Sequence, residues 1–189
     1  MPQKTPRMPA LPEAQLSEAQ KKVVAAVVAG PRKSLVGPFI PLMRSPDFMD
    51  RLQKTGEYLR YNSAFEPRLS ELAILITARL WTQNFEWYAH QPIAEKAGLK
   101  PAIIEAVAKG RRPADMAADE AAVWDFLDEL SRLRTVSDAT YACTLTLFGE
   151  RGIIDLIGIH GYYSLLAMVL NVSQAPLPEG ATPGLQPLP

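Results

Sequence analysis

Cysteine is almost absent from this sequence, since Cys143 is the only one among 189 residues. A single thiol excludes an internal disulfide bond and any zinc site built from several cysteines. No neighbouring residue in the run YACTL would activate this thiol. We therefore expect Cys143 to be a small buried residue of a helix, a common role of free cysteine.

An excess of charge of one sign is absent too. Twenty basic and twenty acidic residues cancel, and no long block of one sign occurs. Domains that bind nucleic acid concentrate Lys and Arg on one face or along one helix. The charge pattern therefore predicts no nucleic-acid partner.

Long apolar runs and a secretory signal are also missing. A membrane-spanning helix needs about 20 apolar residues, and the most apolar stretch, 153–172, is interrupted by Asp155, His160 and Asn171. The N-terminal residues MPQKTPRMP are broken by proline and contain no apolar segment typical of a signal peptide. The sequence therefore predicts a cytoplasmic protein with no membrane partner.

Helical periodicity is what the sequence does contain. Its 48% apolar and 21% charged residues are typical of a globular domain, and apolar residues recur at helical spacing without any alternating strand pattern. These features predict an all-α fold of seven or eight helices in a single domain, residues 17–172. We expect an irregular arm, 1–16, before it and a proline-rich tail, 173–189, extended or disordered, after it.

Several residues predict where helices begin and end. Ser17 and Gln20 form a capping box, and Ser137 is placed to cap a helix that ends at Gly149. Asn84 is a good cap for a further helix. The apolar segment 34–45 contains too many prolines for a helix, so we predict a loop over a cavity or at a subunit boundary.

One stretch, 71–90 (ELAILITARLWTQNFEWYAH), combines apolar and polar residues unusually. Glu71 begins an apolar run, and Gln83, Glu86 and His90 fall within an arc of about 60° on one helix face. Glu86 and His90 are four residues apart, so a hydrogen bond between them is predicted. Two other interpretations stay open: a surface ion pair between Glu86 and His90, and a purely structural Glu71 that anchors the next helix.

The same stretch carries a family resemblance. RLSELAIL at 68–75, FEWYAH at 85–90 and AEKAGL at 94–99 resemble the carboxymuconolactone decarboxylase family. GYYSLLAMVLN at 161–171, followed by PLP at 176–178, is similar to the C-terminal pattern of that family. The resemblance covers most of the chain, from about residue 39 to residue 178. It implies a helical bundle that assembles into homotrimers or homohexamers with the site near a subunit contact.

This family belongs to a superfamily that also contains the alkylhydroperoxidase D-like proteins. Their site has the order Glu, Cys, Cys, His, and the same spacing places these positions at Glu71, Gln83, Glu86 and His90. Both cysteines are therefore replaced. Because thiol–disulfide chemistry requires the thiolates, the sequence excludes a thiol peroxidase of this type.

The resemblance implies a cofactor-free enzyme of the decarboxylase branch instead. We expect a carbon–carbon lyase that acts on a small carboxylated or lactone-type metabolite by proton transfer, as in aromatic catabolism. His90 would be the general acid or base, Glu86 would orient it, and Glu71 would be a second proton carrier. An isomerase, a hydratase or dehydratase, or an oligomeric binding protein without activity are the alternatives.

Further residues are candidates for contact with the substrate. We include aromatic residues, which can line a pocket, the second histidine, and an arginine that could pair with a substrate carboxylate: Gln83, Trp87, His160, Tyr163, Phe39 and Arg44. A metal held by the two glutamates and two histidines is the weaker interpretation, because their spacing is not that of a metal motif. We therefore predict no metal and no cofactor.

Overall fold

The computed structural model describes residues 5–188, and in this range it contains eight α-helices and no β-strand. The first four residues of the predicted N-terminal arm and the last residue of the tail lie outside the described residues. The helices are α1 (Glu18–Ala29), α2 (Phe39–Leu42), α3 (Pro46–Tyr61), α4 (Pro67–Leu80), α5 (Asn84–Lys96), α6 (Pro101–Ala108), α7 (Ala118–Leu133) and α8 (Asp138–Ser173). The predicted all-α fold is confirmed.

Helix α4 lies at the centre of the bundle. It packs against α5, α6, α7 and α8, and every residue from Leu69 to Arg79 is buried. A helix that is apolar on all sides is stable only when other elements cover all of its faces. Glu71, near the start of this run, is therefore buried with its helix and is only 4% exposed.

The predicted helix starts are correct at Ser17 and Ser137 and wrong at Asn84. Ser17 and Gln20 form the capping box, and the Ser137 side chain accepts a hydrogen bond from the Thr140 amide. Helix α5 is instead capped by Gln83, whose Oε1 accepts a hydrogen bond of 2.6 Å from the amide of Phe85. Asn84 is the first helical residue, and its side chain is hydrogen-bonded to the backbone of Leu185 in the C-terminal tail.

Helix α8 is bent where the sequence predicts a helix end. Gly149 has φ 66° and ψ 177°, which is not helical, and glycine adopts such a conformation without steric cost. By length and composition α8 could cross a membrane, with a mean hydropathy of 1.7 in its most apolar window, but half of that window is buried inside the fold. Its contacts with α3, α4 and α7 explain the apolar sequence. Cys143, predicted to be buried, is exposed on this helix.

The proline-containing segment before α3 forms one helical turn, α2, where a loop was predicted. Pro38 and Pro41 fit because the first residues of a helix need no amide hydrogen. The segment is buried, with Phe39 only 3% exposed. Gly37, at φ 57°, allows the chain to lie on the ring of Phe85, since a Cβ atom there would be 2.3 Å from that ring.

The C-terminal tail is extended and packs against the domain. The side chain of Asn84 donates to the carbonyl oxygen of Leu185 and accepts from its amide, and Leu185 is only 2% exposed. Arg79 donates to the carbonyl oxygen of Gln186 at 2.8 Å. The tail therefore contributes Leu185 to the core and contacts α4 and α5, the helices that carry Glu71, Glu86 and His90.

Candidate active site

A cavity of about 350 Å³ lies between the segment that contains α2, the end of α3, and helices α5 and α8. Its volume falls within the range of pockets for small molecules. Apolar and aromatic residues form most of the wall, with a few polar groups among them: Pro31, Arg32, Ser34, Val36, Pro38, Phe39, Arg60, Tyr61, Phe85, Glu86, Ala89, His90, Tyr163 and Leu166.

His90 reaches the cavity from α5 and is hydrogen-bonded to α4. Its Nδ1 lies 2.7 Å from Oε2 of Glu71, and both side chains are buried. An ionised Glu71 can only accept, and with that partner Nδ1 carries the proton and donates it. In the neutral ring Nε2 is then unprotonated, and no described residue is hydrogen-bonded to it. The pair therefore fixes the tautomer in which Nε2 can act as a base.

Glu86 differs from Glu71 in having no polar partner among residues 5–188. It is 3% exposed, and neither of its carboxylate oxygens has a hydrogen-bond partner among the described residues. Burial raises the pKa of Glu86 well above its usual range, because an ionised carboxylate in apolar surroundings loses its hydration. Its position favours the protonated acid beside the cavity.

The predicted hydrogen bond between Glu86 and His90 is therefore wrong. The two residues do lie one turn apart on α5, and both line the cavity. The Nδ1 atom of His90 is taken by Glu71 of the neighbouring helix, which the spacing along α5 alone does not reveal. Glu71 occupies the orienting position that the sequence assigned to Glu86, and Glu86 is the separate carboxyl group.

Tyr163 of α8 packs edge-on against the ring of His90. The ring centroids are 5.0 Å apart and the ring planes meet at 88°, a geometry that aromatic pairs prefer. Burial raises the pKa of Tyr163 well above its usual range, so its hydroxyl stays protonated. Tyr163 and Phe39 are the two predicted contact residues that line the cavity.

The other predicted contact residues lie elsewhere. Gln83 caps α5 and donates to Asn171, and Trp87 donates to Gln91 of its own helix. Arg44 is exposed and binds the carbonyl oxygen of Pro9. These residues have structural contacts and do not line the cavity.

His160 is also absent from the cavity wall. Its Nδ1 lies 2.9 Å from Oγ1 of Thr77 on α4, and burial lowers its pKa, with a smaller contribution from the charge of Arg134. It is a partly buried histidine with a hydrogen-bond partner. Across residues 5–188 there is no group of three or more His, Cys, Asp or Glu side chains that could hold a metal ion.

Sequence reasoning missed two arginines in the cavity wall. Arg32 follows the break after α1, and Arg60 lies in the last turn of α3. Nothing in their spacing connects them with the cluster on α5. The sequence signal near Arg32 was the Gly-Pro break at residues 30–31. This break indicates a loop, but it does not reveal the cavity that the loop covers.

No family model and no curated protein sequence matches this chain. Among solved structures, it is similar to an uncharacterised peroxidase-related protein from Ralstonia eutropha JMP134, described as an alkylhydroperoxidase AhpD core. The TM-score is 0.75 at 18% sequence identity, and the match covers 93% of this chain and 94% of the other. The chain has the fold of the alkylhydroperoxidase AhpD core.

Proposed function

We propose that this protein is an enzyme that works by proton transfer without an organic cofactor, and that its reaction is the decarboxylation of a small carboxylated metabolite. The observation that supports the proposal is the placement of two different groups around one cavity. The contact of His90 Nδ1 with Glu71 leaves Nε2 free to accept a proton in the neutral ring, and burial raises the pKa of Glu86, which favours its protonated form. An acid and a base held side by side are what proton transfer to and from carbon requires.

In this reaction the bond between the substrate carbon and its carboxylate breaks, and carbon dioxide leaves. The electron pair passes into a conjugated carbonyl group of the substrate, which forms an enolate. Glu86 then gives its proton to carbon, and the electron pair returns to form the new C–H bond. Solvent in the cavity then reprotonates Glu86, with His90 Nε2 as the base that relays the proton through solvent, while Glu71 holds the ring in place. Buried groups suit this chemistry because electrostatic interactions are stronger where water is excluded.

The same cavity also favours a second candidate, migration of a double bond. Here His90 Nε2 would remove a proton from carbon beside a carbonyl group, and Glu86 would protonate the carbon at the other end of the conjugated system. The observation that favours this candidate is that the acid and the base both line the cavity.

The test is turnover of a panel of carboxylated unsaturated lactones and 3-oxo acids in heavy water. Carbon dioxide release together with deuterium in the product supports the lyase, and deuterium without carbon dioxide indicates the isomerase. We expect His90→Asn to lower turnover by about 10²–10⁴-fold. The matched control is His160→Asn, since His160 is the second histidine and does not line the cavity. Equal turnover in wild type and His90→Asn would contradict the proposal.

A further inference from the structure

Two guanidinium groups in the cavity wall have no acidic partner in the part of the chain that the structure describes. Neither Arg32 nor Arg60 forms an ion pair with any carboxylate of residues 5–188. Of the residues that line the cavity, only Glu86 is acidic, and burial favours its neutral form. The cavity wall therefore carries two positive charges that the protein itself does not neutralise.

Arg32 is held in a fixed position although it has no counter-ion. Its guanidinium lies 4.7 Å from the centre of the Phe39 ring, and its Nη2 donates a hydrogen bond of 3.1 Å to the hydroxyl of Tyr162. Its Nε is buried and has no acceptor among the described residues. A buried donor without an acceptor is costly, so the hydrogen-bonding capacity of Arg32 is not fully used by the described residues.

Gly56 of α3 makes room for this arrangement. A Cβ atom at this position would lie 2.1 Å from the Tyr162 hydroxyl oxygen and 2.5 Å from Arg32 Nη2. Glycine in a helix interior is less favourable than alanine by about 1 kcal/mol. Gly56 therefore lowers the stability of α3 but leaves the space that Arg32 and Tyr162 occupy.

Arg60 is half-buried on the same wall and lies 5.5 Å from the centre of the Tyr61 ring. Both positive charges act on Tyr163 in the cavity wall. Burial raises the pKa of Tyr163, and the positive charges of Arg60 and Arg32 oppose that rise. A carboxylate offers planar oxygen acceptors that match a guanidinium better than any neutral group does.

We propose that Arg32 and Arg60 form the subsite that binds an anionic group of the ligand, with a carboxylate as the favoured chemistry. This assignment deepens the proposed function, because it names the residues that select an acidic substrate for the same cavity. Arg32 supplies fixed donors inside the wall, and Arg60 adds charge from the end of α3. The arginine suggested by the sequence, Arg44, has no part in it.

The test is binding rather than turnover, so it stands even if the proposed reaction is wrong. Benzoate, glutarate and inorganic phosphate are titrated against the protein by NMR, with benzamide as the neutral match of benzoate. We expect at least one of the anions to bind wild type saturably and about 10-fold more weakly to Arg32→Gln and to Arg60→Gln. Benzamide affinity should change little in either variant. Added salt should weaken only the anions.

Arg44→Gln is the matched control, since Arg44 is an exposed arginine outside this cavity. Arg32→Lys keeps the charge without the planar fork, so its anion affinity should lie between wild type and Arg32→Gln. Thermal unfolding of each variant checks the fold, and Arg60→Gln tests the assignment independently if Arg32→Gln is unstable. Absence of saturable anion binding in wild type, or an equal loss in Arg44→Gln, would overturn the assignment. If His90→Asn loses turnover but keeps anion binding, the two arginines bind the anion independently of the catalytic histidine.

Discussion

Glu71 and Glu86 are buried to almost the same extent, 4% and 3% exposed, yet their surroundings differ. Glu71 lies in the middle of the bundle and has His90 as a hydrogen-bond partner. Glu86 lies in the first turn of α5, lines a cavity, and has no hydrogen-bond partner within the described range. Burial alone therefore does not define the chemistry of a carboxyl group. The partner decides whether it orients a neighbour or stays available as an acid.

The largest expected effect separates the two residues by activity. Glu86→Gln keeps the size of the side chain and removes its proton, so we expect turnover to fall by about 10²–10⁴-fold. Glu95→Gln, an exposed position on the same helix, is the control and should leave turnover unchanged. In wild type, turnover should fall as the pH rises through the raised pKa of Glu86. A Glu86→Gln variant with full turnover would make the two glutamates equivalent.

A smaller effect is expected at the orienting residue. Glu71→Gln should lower turnover by about 10–100-fold, the range found for residues that orient metal-bound histidines through the same kind of hydrogen bond. Nitrogen NMR of His90 gives an independent measurement, because the proton should lie on Nδ1 in wild type and be shared between both nitrogens in the variant. If the variant loses turnover but keeps the Nδ1 proton, Glu71 does not act by orienting the ring.

Stability should distinguish the two glutamates by sign. The raised folded-state pKa of Glu86 means that the folded protein binds more protons than the unfolded chain between the two pKa values, so the free energy of unfolding falls as pH rises through that window. Glu86→Gln removes this loss, so its stability should gain on that of wild type from about pH 4, near the ordinary pKa of a glutamate, to neutral pH. Glu71→Gln should cost about 1–3 kcal/mol through its weakened hydrogen bond. Thermal unfolding at both pH values measures each change, and parallel shifts would contradict the comparison.

The smallest effect concerns Gln83, which the sequence placed on the helix face of Glu86 and which caps α5 in the structure. Gln83→Ala removes a helix cap and should cost about 1 kcal/mol of stability. Turnover should stay within about threefold of wild type, because Gln83 does not line the cavity. Chemical denaturation and the turnover assay measure the two outcomes. A large loss of turnover would place Gln83 in the site after all.

Features set by local spacing were predictable from the sequence. The capping box at Ser17, the break at Gly149 and the buried run of α4 all depend on residues within a few positions of one another. The presence of Glu71, Glu86 and His90 in one region was also predictable, because two neighbouring helices carry them.

Contacts between distant segments were not predictable in the same way. Which glutamate meets His90 depends on how α4 and α5 pack, and helical spacing favoured the wrong one. The position of Arg32 at the cavity depends on the fold of residues 30–38, the non-helical connection between α1 and α2. Arg44 and Arg32 are equivalent by composition and differ only in what surrounds them.

The packed C-terminal tail helps to hold α4 and α5, and so Glu71, Glu86 and His90, in place. Asn84 and Arg79 hold the backbone at residues 185–186, about a hundred positions further along the chain, and these two anchors flank the junction between α4 and α5. Proteolytic removal of the tail from residue 176 onward would release both anchors at once. Amide hydrogen exchange at the start of α5 would then speed up while α1 and α3 stayed protected. Local unfolding would begin at the helix ends that the C-terminal tail no longer holds.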